Sequence, residues 1–224
     1  MDGIHDLGGR QGFGPIATAA DPVPLPERWQ GFVFALINQL LRAGIAANVD
    51  HFRHSVERIH PANYLSDGYY GRWLGGAETL LVESSVLTRV EVETRLPAEG
   101  TVAARPLAEP DQFAAPAIDE QSPLTAQRQV LQPAKFKIDA SVLTAKYGAP
   151  GHSRLPAYAR NCIGRIVSVH GAWVYPDTHA HGKGEVPTHL YTVCFQASDL
   201  FGDDCDQDVE VCLDLFEPYL SDPS

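Results

Sequence analysis

The chain has 224 residues, 44% of them hydrophobic and 20% charged, with a formal net charge of -11. That is the composition of a globular protein, long enough for one ordinary domain or two small ones. The acidic balance and the lack of any Lys or Arg run argue against a nucleic-acid reader, and no apolar run approaches the roughly 18 residues that cross a bilayer.

The first thirty residues carry Asp2, Asp6, Asp21, Glu27 and several prolines where a signal peptide would place a basic start and a greasy stretch. The expectation is therefore a cytoplasmic protein that does not engage a membrane. Cys162, Cys194, Cys205 and Cys212 show no CxxC spacing, so neither a zinc ribbon nor a thioredoxin-like motif is supported. In a reducing compartment they read as small buried thiols.

Residues 1–28 read as an extended arm. Its opening, MDGIHDLGGRQGFGPI, is dense in glycine, but no strand precedes it and Pro15 and Pro22 follow in place of a helix. A phosphate-cradling loop needs both flanks, because the anion sits on backbone N–H groups at a helix start. The glycines instead permit close backbone approach, which suits an arm wrapped over a partner.

Residues 29–97 read as a helical domain. Trp29, Val33, Leu36, Ile37 and Leu40 recur at helical spacing up to Gly44. In NVDHFRHSVERIHP, Val49, Phe52, Val56 and Ile59 form one stripe, with Arg53 and Glu57, and His54 and Arg58, spaced four apart on the other side. YYGRWLGGAETLLVESSVL predicts a third helix that buries Tyr70, Trp73, Leu74, Ala77, Leu80 and Leu81. TRVE is a capping box, Thr88 with Glu91, opening a short helix before Pro97.

Residues 98–133 carry repeated prolines and little periodicity, and read as a linker. Residues 134–224 turn β in texture: KFKIDASVL, CIGRIVSVH, HLYTVCF and DVEVCLDLF are short and separated by Gly, Pro and Asp clusters. Val209, Val211, Leu213 and Leu215 alternate to one face. The expected fold is α+β: arm, helical domain, Pro-rich linker and a small SH3-like β-barrel.

Few residues offer chemistry of their own. HAH at 179–181, with His170 and His189 nearby, could be a metal pair or a polar loop, and lacks a third ligand at firm spacing. No GxSxG elbow and no singled-out carboxylate pair is present. Two arginines stand out: Arg53 beside Phe52, and Arg154 in GHSRLPAYAR, where Pro156 and Tyr158 restrict the loop. Each is either an ordinary surface arginine or a planar fork held for an anion.

Four segments in order resemble the β subunit of nitrile hydratase, across nearly the whole chain. They are MDGIHDLGGRQGFGPI, FRHSVERIHPANYLSDGYYGRWL, GHSRLPAYARNCIGRIV with HGAWVYPDTHAHGKGEVPTHLYTVCF, and LFEPYL. The resemblance implies an enzyme that hydrates a small nitrile to an amide, with a non-corrin Co(III) or Fe(III) ion in a CxxCSC loop of the α subunit. This chain has no such loop and would bind no metal itself. It would be inactive alone and would form an αβ pair that joins into an (αβ)2 heterotetramer.

Arg53 and Arg154 match the family arginines that bond the oxidised cysteine oxygens, and Tyr69 matches the tyrosine that bonds the metal loop. Phe52, Trp73 and Val49 match apolar pocket walls. Trp73 and the HGAWVYPDTHAHGKGE stretch lean towards cobalt. Two other readings stand beside this one: a thiocyanate hydrolase-type subunit, and a non-catalytic metal-delivery or activator partner.

Overall fold

The computed structural model describes residues 3–15, 25, 27–94, 111–112, 125–203, 205 and 208–223. They fall into two compact units: a helical unit of Gly3–His5 and Phe13–Asp119, and a sheet unit that joins Asp6–Gly12 to Glu120–Ser224. The mixed architecture agrees with an α+β chain. No helix among the described residues is long and apolar enough to cross a membrane.

In the helical unit, α1 spans Arg28–Arg42 and stops where expected, with Gly44 at a φ of 70° just beyond its end. α2 spans Val49–Glu57, and the Asn48 side chain accepts the His51 N–H at 2.8 Å to cap it. Pro61 opens α3 (Pro61–Ser66) rather than only closing α2, since its missing N–H costs nothing in a first turn. α4 spans Gly68–Glu83 and α5 spans Arg89–Thr94. The capping box forms as read: the Glu91 N–H donates to Thr88 Oγ1 at 3.2 Å, and the Thr88 N–H to Glu91 Oε2 at 2.8 Å.

Val33, Ile37 and Leu40 of α1 meet Phe52 of α2 and Ala77 and Leu80 of α4 in one core. Truncating a side chain such as Leu80 to alanine would cost about 2–5 kcal/mol. The buried face of α4 differs from the expected apolar stripe, because Gly71, Gly75 and Gly76 are fully buried beside Ala77 and Leu80. A Cβ on Gly76 would lie 2.7 Å from Val56 Cγ2 and 2.9 Å from Ser55 Oγ, so the glycines let α2 and α4 approach closely. α2 also carries pairs that the spacing of four did not point to. Arg53 pairs with Asp50 at 3.0 Å, and Arg58 reaches Glu83 with both terminal nitrogens, at 2.7 and 2.9 Å.

The sheet unit runs β1 (Gln127–Arg128), β2 (Ser141–Thr144), a 3-10 turn (Ala157–Ala159), β3 (Ile163–Trp173) and α6 (Pro176–His179). It continues with β4 (Thr188–Gln196), α7 (Ala197–Phe201), β5 (Glu210–Phe216), a 3-10 turn (Glu217–Tyr219) and β6 (Leu220–Ser221). The strand order is β5-β4-β3-β2-β6, antiparallel throughout, with β1 on β3. Val142, Ile166, Tyr191, Val193, Phe195 and Leu215 fill its core. β3 carries two register shifts, between Ile166 and Ser168 and between Val169 and Ala172; such bulges bend a strand and increase its twist.

The structure bears on four expectations. Hydrogen bonds do not close the sheet into a barrel among the described residues: β5 and β6 end the path unpaired with each other. The segment read as a strand from Lys135 narrows to β2, because Asp139 adopts a φ of 69°, which no strand continues through. Within the span 98–133, expected to be a linker, Gln127 and Arg128 pair with Trp173 and Ala172. Cys194 and Cys212, expected as thiols, face each other across β4 and β5 with Cα atoms 4.1 Å apart and form a disulfide. Cys162 and Cys205 remain thiols.

Candidate functional site

The helical unit brings five of the six singled-out residues onto α2 and α4. Phe52 is buried, and its ring meets Trp73 edge-on at 5.4 Å between centroids. Tyr69 tilts against Trp73 at 5.2 Å, and Phe34 of α1 stacks on the indole at 6.4 Å. The indole thus sits at the centre of an aromatic group, whose offset and edge-on contacts favour a rigid arrangement.

The outer members of this group face solvent. Tyr69 is 62% exposed and Phe34 47%; Val49, at the start of α2, is separately 48% exposed. Apolar surface gathered in this way is characteristic of a face that meets another molecule. Arg53 follows Phe52 directly and projects outward, its side chain 51% exposed. Asp50 takes one of its terminal nitrogens and, among the described residues, leaves most of the guanidinium fork available. Phe34 was missed by sequence reasoning: it lies off the stripe that defines the buried face of α1.

Arg154 belongs to the sheet unit. Its side chain is exposed, and no side-chain partner holds the guanidinium among the described residues. The main chain around it is tightly held. His152 and Ser153 are completely buried and Leu155 nearly so. The His152 N–H donates to His181 Nε2 at 2.9 Å, the Arg154 N–H to Tyr219 Oη at 3.0 Å, and the Ala157 N–H to Asp6 Oδ2 at 2.8 Å. His181, considered as half of a metal pair, therefore serves as a hydrogen-bond acceptor for this loop. His179 closes α6, so the HAH segment is a helical turn and not the extended run that would face both rings one way.

Beneath the loop, Tyr219 donates a short hydrogen bond to Asp177. Burial pushes the Asp177 carboxyl up, against the lowering pull of its hydrogen bond from Tyr219. Burial also raises the Tyr219 phenol, and the Asp177 charge adds to the effect. On α2, burial holds His51 below the ordinary histidine value; it accepts the Ala47 N–H at 3.3 Å. None of Asp6, Asp177 and Tyr219 carried a local signal in the sequence, since each acts on a residue far along the chain.

The helical unit thus offers an exposed aromatic face and one exposed arginine, and the sheet unit a second exposed arginine. Comparisons with known proteins give the particular family. The N-terminal model of the nitrile hydratase beta subunit matches residues 1–121, and the C-terminal model matches residues 125–222. The chain belongs to the nitrile hydratase β-subunit family.

It is 39% identical to the nitrile hydratase subunit beta of Pseudomonas putida, over 98% of this chain and 99% of that one. It is 35% identical to the cobalt-containing nitrile hydratase subunit beta of Pseudonocardia thermophila, over 98% and 96%. The low-molecular weight cobalt-containing subunit beta of Rhodococcus rhodochrous is also 35% identical, over 98% and 99%. A recombinant apo-enzyme of thiocyanate hydrolase from Thiobacillus thioparus overlaps 41% of this chain and 78% of its own, at a TM-score of 0.38 and 22% identity. That likeness is too slight to bear on function.

Proposed function

We propose that this chain hydrates nitriles to amides as one half of a nitrile hydratase, inactive until joined by a metal-bearing α subunit in the cytoplasm. The pairs would assemble as an (αβ)2 heterotetramer, and the sheet unit would correspond to the family's SH3-like barrel. One observation carries this reading: Arg53 stands beside a fixed aromatic group and keeps most of its donors available.

When bound, the α subunit's Co(III), favoured by the cobalt-containing relatives, or Fe(III) supplies Lewis acidity to the reacting nitrile or water. The residues of this chain fit a supporting role. Arg53 and Arg154 would donate to the negatively charged oxygens of the oxidised cysteines, offset their charge and fix their orientation. A planar fork suits two oxygens better than an ammonium does. The Tyr69 hydroxyl would donate to the metal loop. Phe52, Trp73 and Val49 would wall the substrate pocket, where the rigidity of the Trp73 group limits the shapes admitted.

The test is to purify this chain alone and with an α partner carrying CxxCSC, then to measure nitrile hydration and metal content. The reading requires both only in the pair. Stoichiometric metal or turnover in the lone chain would overturn it. Thiocyanate turnover in place of nitrile turnover would favour the hydrolase reading, and a pair that loads metal but turns over neither substrate would favour an activator.

A further inference from the structure

Arg154 is exposed between His152, Ser153 and Leu155, which are buried. Beside Arg154 itself the anchor is one oxygen. Tyr219 Oη accepts the Arg154 N–H at 3.0 Å and the Ser153 hydroxyl at 3.4 Å, while its own proton goes to Asp177 Oδ1. A phenol has one donor and two acceptor positions, so all three are taken.

Asp177 comes from α6, and Tyr175 stands immediately before that helix. The Tyr175 and Tyr219 rings also touch, with centroids 5.7 Å apart. A phenol proton can in general rotate towards any nearby acceptor. A buried carboxylate on one side holds it there, which leaves both lone pairs facing the loop.

We infer that the Asp177–Tyr219 pair positions Arg154: the carboxylate orients the phenol, and the phenol fixes the peptide from which the guanidinium projects. Neither residue touches the reacting atoms. The inference rests on the reading of Arg154 as a partner of the oxidised cysteine oxygens. A guanidinium at the end of a long side chain inherits any error in its own backbone. Misplacement of a supporting group by an ångström is enough to cost a large factor in rate.

The variants Tyr219→Phe, Asp177→Ala, Asp177→Asn and Arg154→Lys would be made in the co-purified pair with the α subunit. Two readouts serve: kinetics on a nitrile, and amide hydrogen exchange resolved at Arg154. Tyr219→Phe removes the acceptor, so exchange at Arg154 should quicken about tenfold or more while β4 amides stay unchanged. kcat should fall about tenfold with KM within about twofold, because a transition-state contact has loosened. Asp177→Asn keeps an acceptor for the phenol and should stay within about threefold of the parent.

Unchanged exchange at Arg154 in Tyr219→Phe, or lost turnover without faster exchange there, would overturn the inference. Should Tyr219→Phe fail to fold, Asp177→Ala keeps the ring and hydroxyl in place and carries the same two expectations. Full turnover in Arg154→Lys would instead overturn the reading of Arg154, whatever the exchange shows.

Discussion

The Asp6 carboxylate accepts the Ala157 N–H at 2.8 Å, across a separation of 151 residues. Asp6 is buried there, and Gly8 and Gly9 lie so close to Tyr158 and Phe201 that a Cβ on Gly8 would sit 2.4 Å from the Tyr158 ring. The glycine-rich opening, expected to lie on a partner chain, thus contributes Asp6–Gly12 to the sheet unit of its own chain. Asp6→Ala leaves a main-chain donor without its charged acceptor and should destabilise the sheet unit by about 1–3 kcal/mol. Chemical denaturation followed by near-ultraviolet absorption would measure this. A change below 0.5 kcal/mol, on the order of an ordinary surface substitution, would show the contact to be incidental.

Gly76→Ala should be more disruptive than its chemistry suggests. The new Cβ meets Val56 Cγ2 at 2.7 Å and the Val56 backbone nitrogen at 3.2 Å, so α2 must move away from α4. Overpacking of this kind costs typically 1–3 kcal/mol, and α2 is the helix that carries Arg53 and Phe52. A lower melting temperature together with reduced turnover in the α–β pair is expected.

Arg53→Lys and Arg154→Lys should each lower turnover in the pair about 10–100-fold, in keeping with lost support of a metal centre by neighbouring hydrogen bonds. Neither should change stability by more than about 1 kcal/mol, since the Arg53 side chain is half exposed and Arg154 is exposed. Activity and thermal melts on the same preparations separate the two effects.

The sheet unit should weaken in alkali in a way traceable to Tyr191. Burial, with the hydrogen bond and charge of Glu217, pushes this phenol from the ordinary 10.0 up to about 12. The folded-state value is raised, so its contribution to stability is complete below pH 10. It is lost as pH rises through about 12, because the unfolded phenol gives up its proton first. Urea denaturation across that window should show a flatter fall in stability for Tyr191→Phe than for the parent.

Alkylation should find two thiols in the native chain, Cys162 and Cys205, and four once it is reduced and unfolded. Four reactive thiols in the unfolded, unreduced chain would show Cys194 and Cys212 to be unbridged.

Legibility in the sequence followed distance along the chain. The end of α1 at Gly44 and the Thr88–Glu91 cap involve neighbours and could be read directly. The glycine face of α4 was hidden because glycine adds nothing to an apolar stripe, although here it sets how near α2 can lie. The cysteine bridge needs the register of β4 on β5, which spacing alone does not provide. Arg53 and Arg154 stood out by their neighbours, whereas Tyr69, Phe52, Trp73 and Val49 were singled out through resemblance to a family. The Asp6 and Tyr219 contacts gave no sign of themselves until the fold joined distant segments.

The stretch from Arg154 to Ala157 is fastened at one end by Tyr219, 65 residues downstream, and at the other by Asp6, 151 residues upstream. Both fastenings span long loops, whose closure entropy must be met before either bond forms. The arginine loop is therefore among the last parts of the sheet unit to take shape during synthesis. A chain clipped near residue 6 would keep its strands, and one cut short before residue 219 would lose β6 alone, but either is expected to present Arg154 loosely.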